Sequence, residues 1–400
     1  MQTQFLFVTC GYPPAKNAGA EKGLARLADA LARRGYRVTV LALRFDAAEP
    51  REETNAHGVQ ILRTLEPLAL GPLWGITFRR QVSQQMKALA ANWDFVLCNQ
   101  LFLHSDVAAK VAKDQGKHCA SVVVNCSTFS DFKTLLEQRG GKSILQRSIR
   151  DSSVMVMTRP SVMEAIHHGY QKNAVRAFRY MVPSLSEINH APSASRDVLY
   201  IGRFMPQKNV VGLIRGFERY AEKHSKLNLI LVGDGDLKDD VLAAIKNSPA
   251  CHRIKRYGWT TEPETFYQRA RAVVMFSHSE GLSNVMIEGL SFGKPMVITD
   301  VSGAREAIDP EYSLPSQLPT GTPQMAQGGL LIPIGDEEAL AKAFEQLEDD
   351  AAVDELGSVA RKRIETDFME EHCVQMFLNE VKSIQAGNPE PSPFFHGILP

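Results

Sequence analysis

Two carboxylates eight positions apart, Glu280 and Glu288, lie in the stretch FSHSEGLSNVMIEGLSFGK that runs from Phe276 to Lys294. The apolar run Ala272 to Phe276 before it predicts a buried strand. A short polar turn follows, and then a helix that opens near Ser283 or Asn284. Amides in the first turn of a helix have no partner within the helix. They sit at the positive end of its dipole, so such a start attracts an anion. A phosphate held there leaves Glu280 on one side and Glu288 on the other, each able to accept hydrogen bonds from hydroxyl groups. A pyrophosphate with a sugar at either end meets that arrangement, which is the chemistry of a nucleotide-sugar.

A second group of residues adds positive charge. In VLYIGRFMPQKN, Val198 to Asn209, Arg203 and Lys208 follow the end of a predicted strand, in a loop that holds Gly202 and Pro206. A guanidinium grips phosphate through paired N–H groups, and an ammonium acts as a point charge. Alone, the pair reads as two solvated loop cations. In the same domain as Glu280 and Glu288, it reads as a means of neutralising one pyrophosphate. Near the start of the chain, GYPPAKNAGA places Gly19 just ahead of a helix, where backbone can come close to a ligand. There is no GxGxxG fingerprint and no Walker lysine motif, which argues against a dinucleotide oxidoreductase and an NTPase.

These residues need strands and helices to position them. Phe5 to Thr9, a helix from about Ala20 to Arg34 and Arg37 to Leu43 form a βαβ pattern, with Gly35 as helix stop. Further strands are expected at Phe95 to Cys98, Ala120 to Val124 and Val154 to Met157. Residues 184–196, rich in Ser and Pro, read as a linker. The alternation restarts with strands at Asp197 to Ile201, Leu227 to Val232, Arg253 to Tyr257, Ala272 to Phe276 and Pro295 to Thr299. The fold class expected is α/β: two doubly wound, Rossmann-like domains facing across a cleft, with ligand at the carboxyl ends of the strands. The domains are expected at 1–183 and 197–367, with a crossover helix and tail at 368–400.

Bulk properties exclude more than they assign. The chain has 400 residues with 45 Lys plus Arg against 45 Asp plus Glu, so no overall field favours nucleic acid. The six cysteines show no Cys-x-x-Cys pair and no zinc-site spacing with His, so no metal site is expected. The opening MQTQFLFVTCGYPP reads as a first strand rather than a signal peptide, and no run is long enough to span a bilayer. A cytoplasmic chain is the expectation, with room for peripheral contact at the inner-membrane surface.

Taken together, these features resemble the retaining glycosyltransferases of family four, which have the GT-B fold. The resemblance covers nearly the whole chain. Glu280 and Glu288 look like the family's Glu-x7-Glu signature, GKPMVITDVSGAREAI (Gly293 to Ile308) like its continuation, and GRFMPQKN like its donor Arg and Lys. TDFMEEHCVQMFLNEVKSIQ looks like the helix that closes the fold by returning to the first domain. The resemblance implies roles. Arg203 and Lys208 would stabilise the leaving diphosphate, and Glu280 would contact the donor sugar. Glu288 would hold ribose hydroxyls. Backbone at Gly281, Leu282, Ser283, Asn284 and Val285 would bind sugar and phosphate, and Gly19 would lie under the pyrophosphate. The base would sit near Arg256, Tyr257 and Gly258. No cofactor is implied, since the nucleotide-sugar is a substrate. The acceptor would be a glycan, a lipid-linked glycan or a small molecule, in bacterial cell-surface polysaccharide biosynthesis.

One position departs from that pattern. Many family members carry a His after the strand equivalent to Ser121 to Val124, and here Asn125 takes its place. Asn can bond a sugar hydroxyl but cannot shuttle a proton. His104 is the other candidate on the acceptor side, with a structural role as the alternative. His278 either touches the donor or shapes the turn. The basic segment Lys133 to Arg150 reads as a solvated helix face or as a contact for anionic lipid or acceptor. Phe394 and Phe395 either pack on the body or meet a membrane. Two alternative functions stay open at this stage: a nucleotide-sugar epimerase of the same fold, and a non-catalytic nucleotide-sugar-binding protein.

Overall fold

The computed structural model describes residues 2–14, 19–126, 130–182 and 191–395. It divides into two units, Met1–Pro183 with Glu370–Pro400, and Ser184–Met369. Of the linker segment read from the sequence, residues 184–190 lie outside the described residues.

Among the described residues of the first unit, eight strands form one sheet: β1 (Phe5–Thr9), β2 (Val38–Leu43), β3 (Glu52–Thr54), β4 (Gln60–Leu65), β5 (Phe95–Cys98), β6 (His118–Val123), β7 (Ser153–Val156) and β8 (Val175–Ala177). Their order is β3-β4-β2-β1-β5-β6-β7-β8, parallel throughout except for the edge pair β3 and β4. β1, β2, β5 and β8 are buried along their whole length, as strands covered on both faces must be. Strand order reverses between β1 and β5. Helices Pro72–Ala88, Ser105–Asp114 and Gly141–Asp151 connect the parallel strands. Phe78, Val82 and Met86, four residues apart, turn one stripe of the first of these helices into the core.

Among the described residues of the second unit, seven strands follow: β9 (Asp197–Ile201), β10 (Asn228–Val232), β11 (Ile254–Tyr257), β12 (Ala272–Met275), β13 (Met296–Thr299), β14 (Gln324–Ala326) and β15 (Gly329–Ile332). Their order is β11-β10-β9-β12-β13-β15-β14, with only β14 antiparallel. Here the reversal falls between β9 and β12, the strands that precede Arg203 and Glu280. In open α/β sheets the loops after the strands part at such a point and leave a crevice for ligand. Helix Val210–Ala221 packs on helix Glu337–Gln346 at Gly216, where an added Cβ would fall 2.4 Å from Leu340 Cδ2. The helical stripe expected near the end of the chain, Leu340, Ala343, Phe344 and Leu347, is fully buried there.

The last long helix, Glu370–Gln385, belongs to the first unit. Its Phe377 ring lies 5.6 Å from that of Phe5 and 6.4 Å from that of Phe178. Arg33 and Arg34 pair with Glu370 at its start. Arg176 pairs with Glu380 at 3.6 Å and donates to the carbonyls of Asn388 and Glu390, which holds the tail down. Phe395 is buried and packs on the body, whereas Phe394 is 37% exposed, with the Arg179 guanidinium 4.4 Å from its ring centroid.

Candidate functional site

Two loops of the second unit meet where the strand order reverses. The first leaves β9 through Gly202. It rests on the turn after β10, where close packing demands glycine. A Cβ on Gly233, whose φ is +145°, would fall 2.0 Å from the Gly202 carbonyl oxygen. The Phe204 amide donates to the Asp234 carbonyl at 2.9 Å, and the Tyr200 hydroxyl donates to the Arg203 carbonyl at 2.9 Å. Arg256 donates to the Gly233 carbonyl at 3.0 Å and to the Asp234 carboxylate at 3.1 Å, which locks the turn from β11. The Arg203 backbone is therefore pinned while its side chain is exposed. Burial raises the Tyr200 phenol well above its ordinary range. The Glu280 charge adds to this and the Arg203 charge opposes it.

The second loop leaves β12. The two loops are stitched along their backbones: the His278 amide donates to the Gln207 carbonyl at 2.8 Å, and Gln207 Nε2 donates to the Ser279 carbonyl at 2.7 Å. At the end of the seam Lys208 Nζ forms an ion pair with Glu280 Oε1. The same carboxylate oxygen accepts from the Ser277 hydroxyl at 2.9 Å. His278 shapes this turn through its backbone, and its side chain is exposed.

Beyond Glu280, Gly281 and Leu282 are buried, and Ser283 caps helix Asn284–Ser291 by accepting from the Met286 amide. The helix begins where the sequence pattern places it. Half-buried Asn284 and Val285 lie in its first turn, at the positive end of its dipole. Glu288 follows one turn later, and its carboxylate accepts from the Tyr267 hydroxyl at 3.1 Å. Tyr267 is itself stacked on Phe292 with ring centroids 5.4 Å apart. Gly303 closes the loop from behind. Its amide donates to the Glu280 carbonyl at 3.3 Å, and a Cβ there would fall 2.1 Å from the Gly281 carbonyl oxygen. Tyr257, at the end of β11, is 46% exposed and meets the edge of Phe266 at 5.1 Å.

Lys208, Glu280 and Ser283 are thus gathered around one helix start, with Arg203 on the stitched loop and Glu288 one turn inside. Chemically, this is a positive dipole end and two cations beside two carboxylates, one held by an ammonium and a hydroxyl, the other by a phenol. Ser277, Gln207, Tyr267 and Gly303 also belong to it. Residue type alone gave no signal for them, although Gly303 falls within the stretch that resembles the family's continuation.

The candidates in the first unit are placed differently. Gly19 is exposed at the first position of helix Gly19–Arg33, and residues 15–18 of its loop lie outside the described residues. Asn125 is half-buried, and its Nδ2 donates to Asp131 Oδ1 at 3.4 Å. Asp131 also accepts from the Val124 amide at 2.6 Å and the Asn125 amide at 3.4 Å. Burial pushes the Asp131 carboxyl up to about 7, and nearby Glu164 adds to this, while those donors oppose it. His104 is fully buried and meets the ring of Phe78 at 5.6 Å and that of Phe102 at 6.5 Å. It is a core histidine and does not reach out to an acceptor. Among the described residues no group of three His, Cys, Asp or Glu side chains is arranged to hold a metal. Nor is any helix among them long and apolar enough to cross a membrane.

Comparison with known proteins bears on the same segments. Residues 195–350 match the family described as glycosyl transferases group 1, and residues 17–178 match glycosyltransferase family 4. A Campylobacter jejuni N-acetylgalactosaminyltransferase acting on a diphospho-undecaprenol glycan is 32% identical over 156 residues, 38% of each chain. The lipopolysaccharide core biosynthesis glycosyltransferase LpsE of Rhizobium meliloti is 22% identical over 83% of this chain and 86% of its own. Matching segments span 29%, 38% and 41% of the length of three curated relatives. Among solved structures, Anabaena HepE in complex with UDP superposes with a TM-score of 0.69 at 18% identity, over 95% of this chain and 100% of that one. Sucrose-phosphate synthase from Thermosynechococcus elongatus gives 0.73 at 19% identity, over 96% and 100%.

Proposed function

The chain belongs to the group 1 glycosyltransferases of family four, with the GT-B fold, and on that premise we propose that it moves a sugar from a nucleoside-diphosphate-sugar to a glycan or lipid-linked acceptor, with retention at the anomeric carbon. The observation that carries the reading is the meeting of Lys208, Glu280 and the Ser283-capped helix start at the strand-order reversal of the second unit.

In this reading the anomeric carbon's bond to the diphosphate oxygen breaks while its bond to the acceptor oxygen forms on the same face. The acceptor proton passes to an oxygen of the departing diphosphate. The barrier then depends mainly on how well charge is stabilised on the leaving group. Arg203 and Lys208 supply two cations for it, and the amides of Asn284 and Val285 supply the helix dipole, so no metal ion is required. Glu280, held by Lys208 and Ser277, accepts from hydroxyls of the donor sugar. Glu288, oriented by Tyr267, takes the ribose hydroxyls. Tyr257 and the turn after it flank the base.

The acceptor reading draws support from relatives whose names place them in capsular polysaccharide and lipopolysaccharide core biosynthesis. The test is a transfer assay with a panel of nucleotide-sugars, run with and without a chelator, with the anomeric configuration of the product read by NMR. Transfer with retention and no loss on chelation is expected. An inverted product, or isomerised donor without transfer, overturns the reading.

A further inference from the structure

Arg305 follows Gly303 by two positions, at the start of helix Ala304–Ile308, and is 7% exposed. Each of the five N–H groups of its guanidinium has an acceptor. Nε donates to Asp300 Oδ1 at 2.9 Å and Nη2 to Asp300 Oδ2 at 2.7 Å, a two-point grip on the residue just after β13. Nη2 also donates to the Pro315 carbonyl at 2.7 Å. Nη1 donates to the Leu314 carbonyl at 3.0 Å and to Asp309 Oδ2 at 3.3 Å. A side chain engaged to this extent has no N–H left for a ligand. Any part it plays at the site comes through what it holds.

On one side it holds the support of the donor loop. Thr299 Oγ1 donates to the Ser277 carbonyl at 2.7 Å, and the Gly303 amide donates to the Glu280 carbonyl at 3.3 Å. The turn Thr299–Gly303 thus carries both ends of the stretch Ser277–Glu280. Asp300 lies inside that turn, and its amide donates to the Ile332 carbonyl at 2.8 Å. On the other side Arg305 holds a strap, residues 314–321. The far end of the strap is fixed too: the Gly321 amide donates to Asp336 Oδ2 at 2.6 Å, and Lys342 Nζ donates to the Gly321 carbonyl at 2.7 Å. Asp336 comes soon after β15, the neighbour of β13. The strap therefore runs along the carboxyl edge of the sheet from one strand to the next, with Leu318 buried. Joining turn and strap at one point takes a planar fork with donors on both sides, which a guanidinium has and an ammonium lacks.

We infer that Arg305 is a positioning residue for the diphosphate site: it braces the Thr299–Gly303 turn against the strap, and through that turn it sets the place of Glu280 and of the helix start beyond it. The inference rests on the donor reading of that loop and adds to it a residue that touches no ligand. A site built on a carboxylate and backbone amides works only when these are held to within about half an ångström, which is the task of the residues behind them.

Calorimetric titration of the full chain with UDP, GDP, ADP and dTDP is the test, paired with urea unfolding of each variant. Arg305→Gln loses stability and binds diphosphate about tenfold more weakly, the worth of one hydrogen bond to a charged group. Arg305→Lys keeps a charge between Asp300 and Asp309, so it recovers much of the stability, but it cannot brace turn and strap together and its affinity stays low. Asp300→Asn breaks the two-point grip with little change of volume. It weakens binding in the same direction and decides the matter if the Arg305 variants do not fold. Leu347→Ala is the converse control. Leu347 is buried, and its carbonyl accepts from Arg271 just before β12, at the amino edge of the sheet. This variant loses stability and keeps its affinity. A purely structural role for Arg305 would make affinity follow stability across the whole set, with Arg305→Lys regaining both or Leu347→Ala losing both, and either result overturns the inference. An unaltered chain that binds a diphosphate, with every Arg305 and Asp300 variant binding it equally, overturns the inference and keeps the donor site. An unaltered chain that binds none of the four removes the donor site and this role with it.

Discussion

Lys208 and Glu280 lie 72 positions apart in sequence and form an ion pair whose carboxylate side chain is 5% exposed and whose ammonium side chain is 19% exposed. The ammonium is thus held in place before any ligand arrives, at the start of the helix proposed to receive a diphosphate. Removing it leaves a buried carboxylate that still accepts from the Ser277 hydroxyl. Lys208→Ala is expected to cost about 3 kcal/mol of folding stability, the low end for breaking a buried pair. The double variant with Glu280→Gln should recover part of that loss. Urea unfolding of the two single variants and the double variant checks it.

Arg203 should behave differently. Its backbone is fixed by Tyr200 and its side chain is exposed. Arg203→Ala is expected to leave stability within about 0.5 kcal/mol of the unaltered chain. Diphosphate binding should weaken by roughly 1.5–3 kcal/mol, the range for hydrogen bonds to charged groups. Calorimetric titration with nucleoside diphosphates reads the second effect, and unchanged affinity would remove Arg203 from the site.

Gly303 offers a test of the loop itself. Its backbone is in an ordinary right-handed conformation, with φ at −89°, so alanine meets no conformational penalty there. The obstacle is the Gly281 carbonyl, 2.1 Å from the added Cβ. Gly303→Ala must push the Gly281–Ser283 strand of the loop outward. Overpacking of this kind costs about 1–3 kcal/mol, and donor affinity should fall with it. A variant with full donor affinity would show that the loop position does not matter for binding.

Asp131 predicts a pH effect in the first unit. An aspartate ordinarily titrates at 3.8, and burial raises this one to about 7. Between those values the folded chain keeps a proton that the unfolded chain has released. This group therefore makes stability fall as pH rises from about 4 to about 7, with little effect outside that window. Glu164 faces the same region, and its charge enters the slope. Asp131→Asn removes the titration, so its stability relative to the unaltered chain should improve between pH 5 and pH 8. Unfolding free energies at the two pH values decide it, and a constant difference would contradict the shift.

Much of this was legible in the sequence where the signal was local. The runs Phe5–Thr9, Phe95–Cys98 and Asp197–Ile201 are strands with the bounds that their apolar runs predict, because buried parallel strands need unbroken apolar stretches. The helix start at Ser283 was legible from one capping residue before an apolar period. β3, β8 and β14 were not, since three residues are too few to show a period. Of the site, the charged types at strand ends were legible, but the bond between Lys208 and Glu280 depends on strand order, which no local pattern states. His104 followed a strand as a candidate ligand would. Its burial is set by Phe78, which comes from a helix well before it in the chain.

Helix Glu370–Gln385 supplies Val374, Phe377 and Val381 to the first unit, yet it follows every residue of the second. A ribosome must therefore release the whole second unit before the first can bury Phe5 beneath Phe377. Until then the nascent first unit carries an open apolar seam, a natural place for a chaperone to hold it.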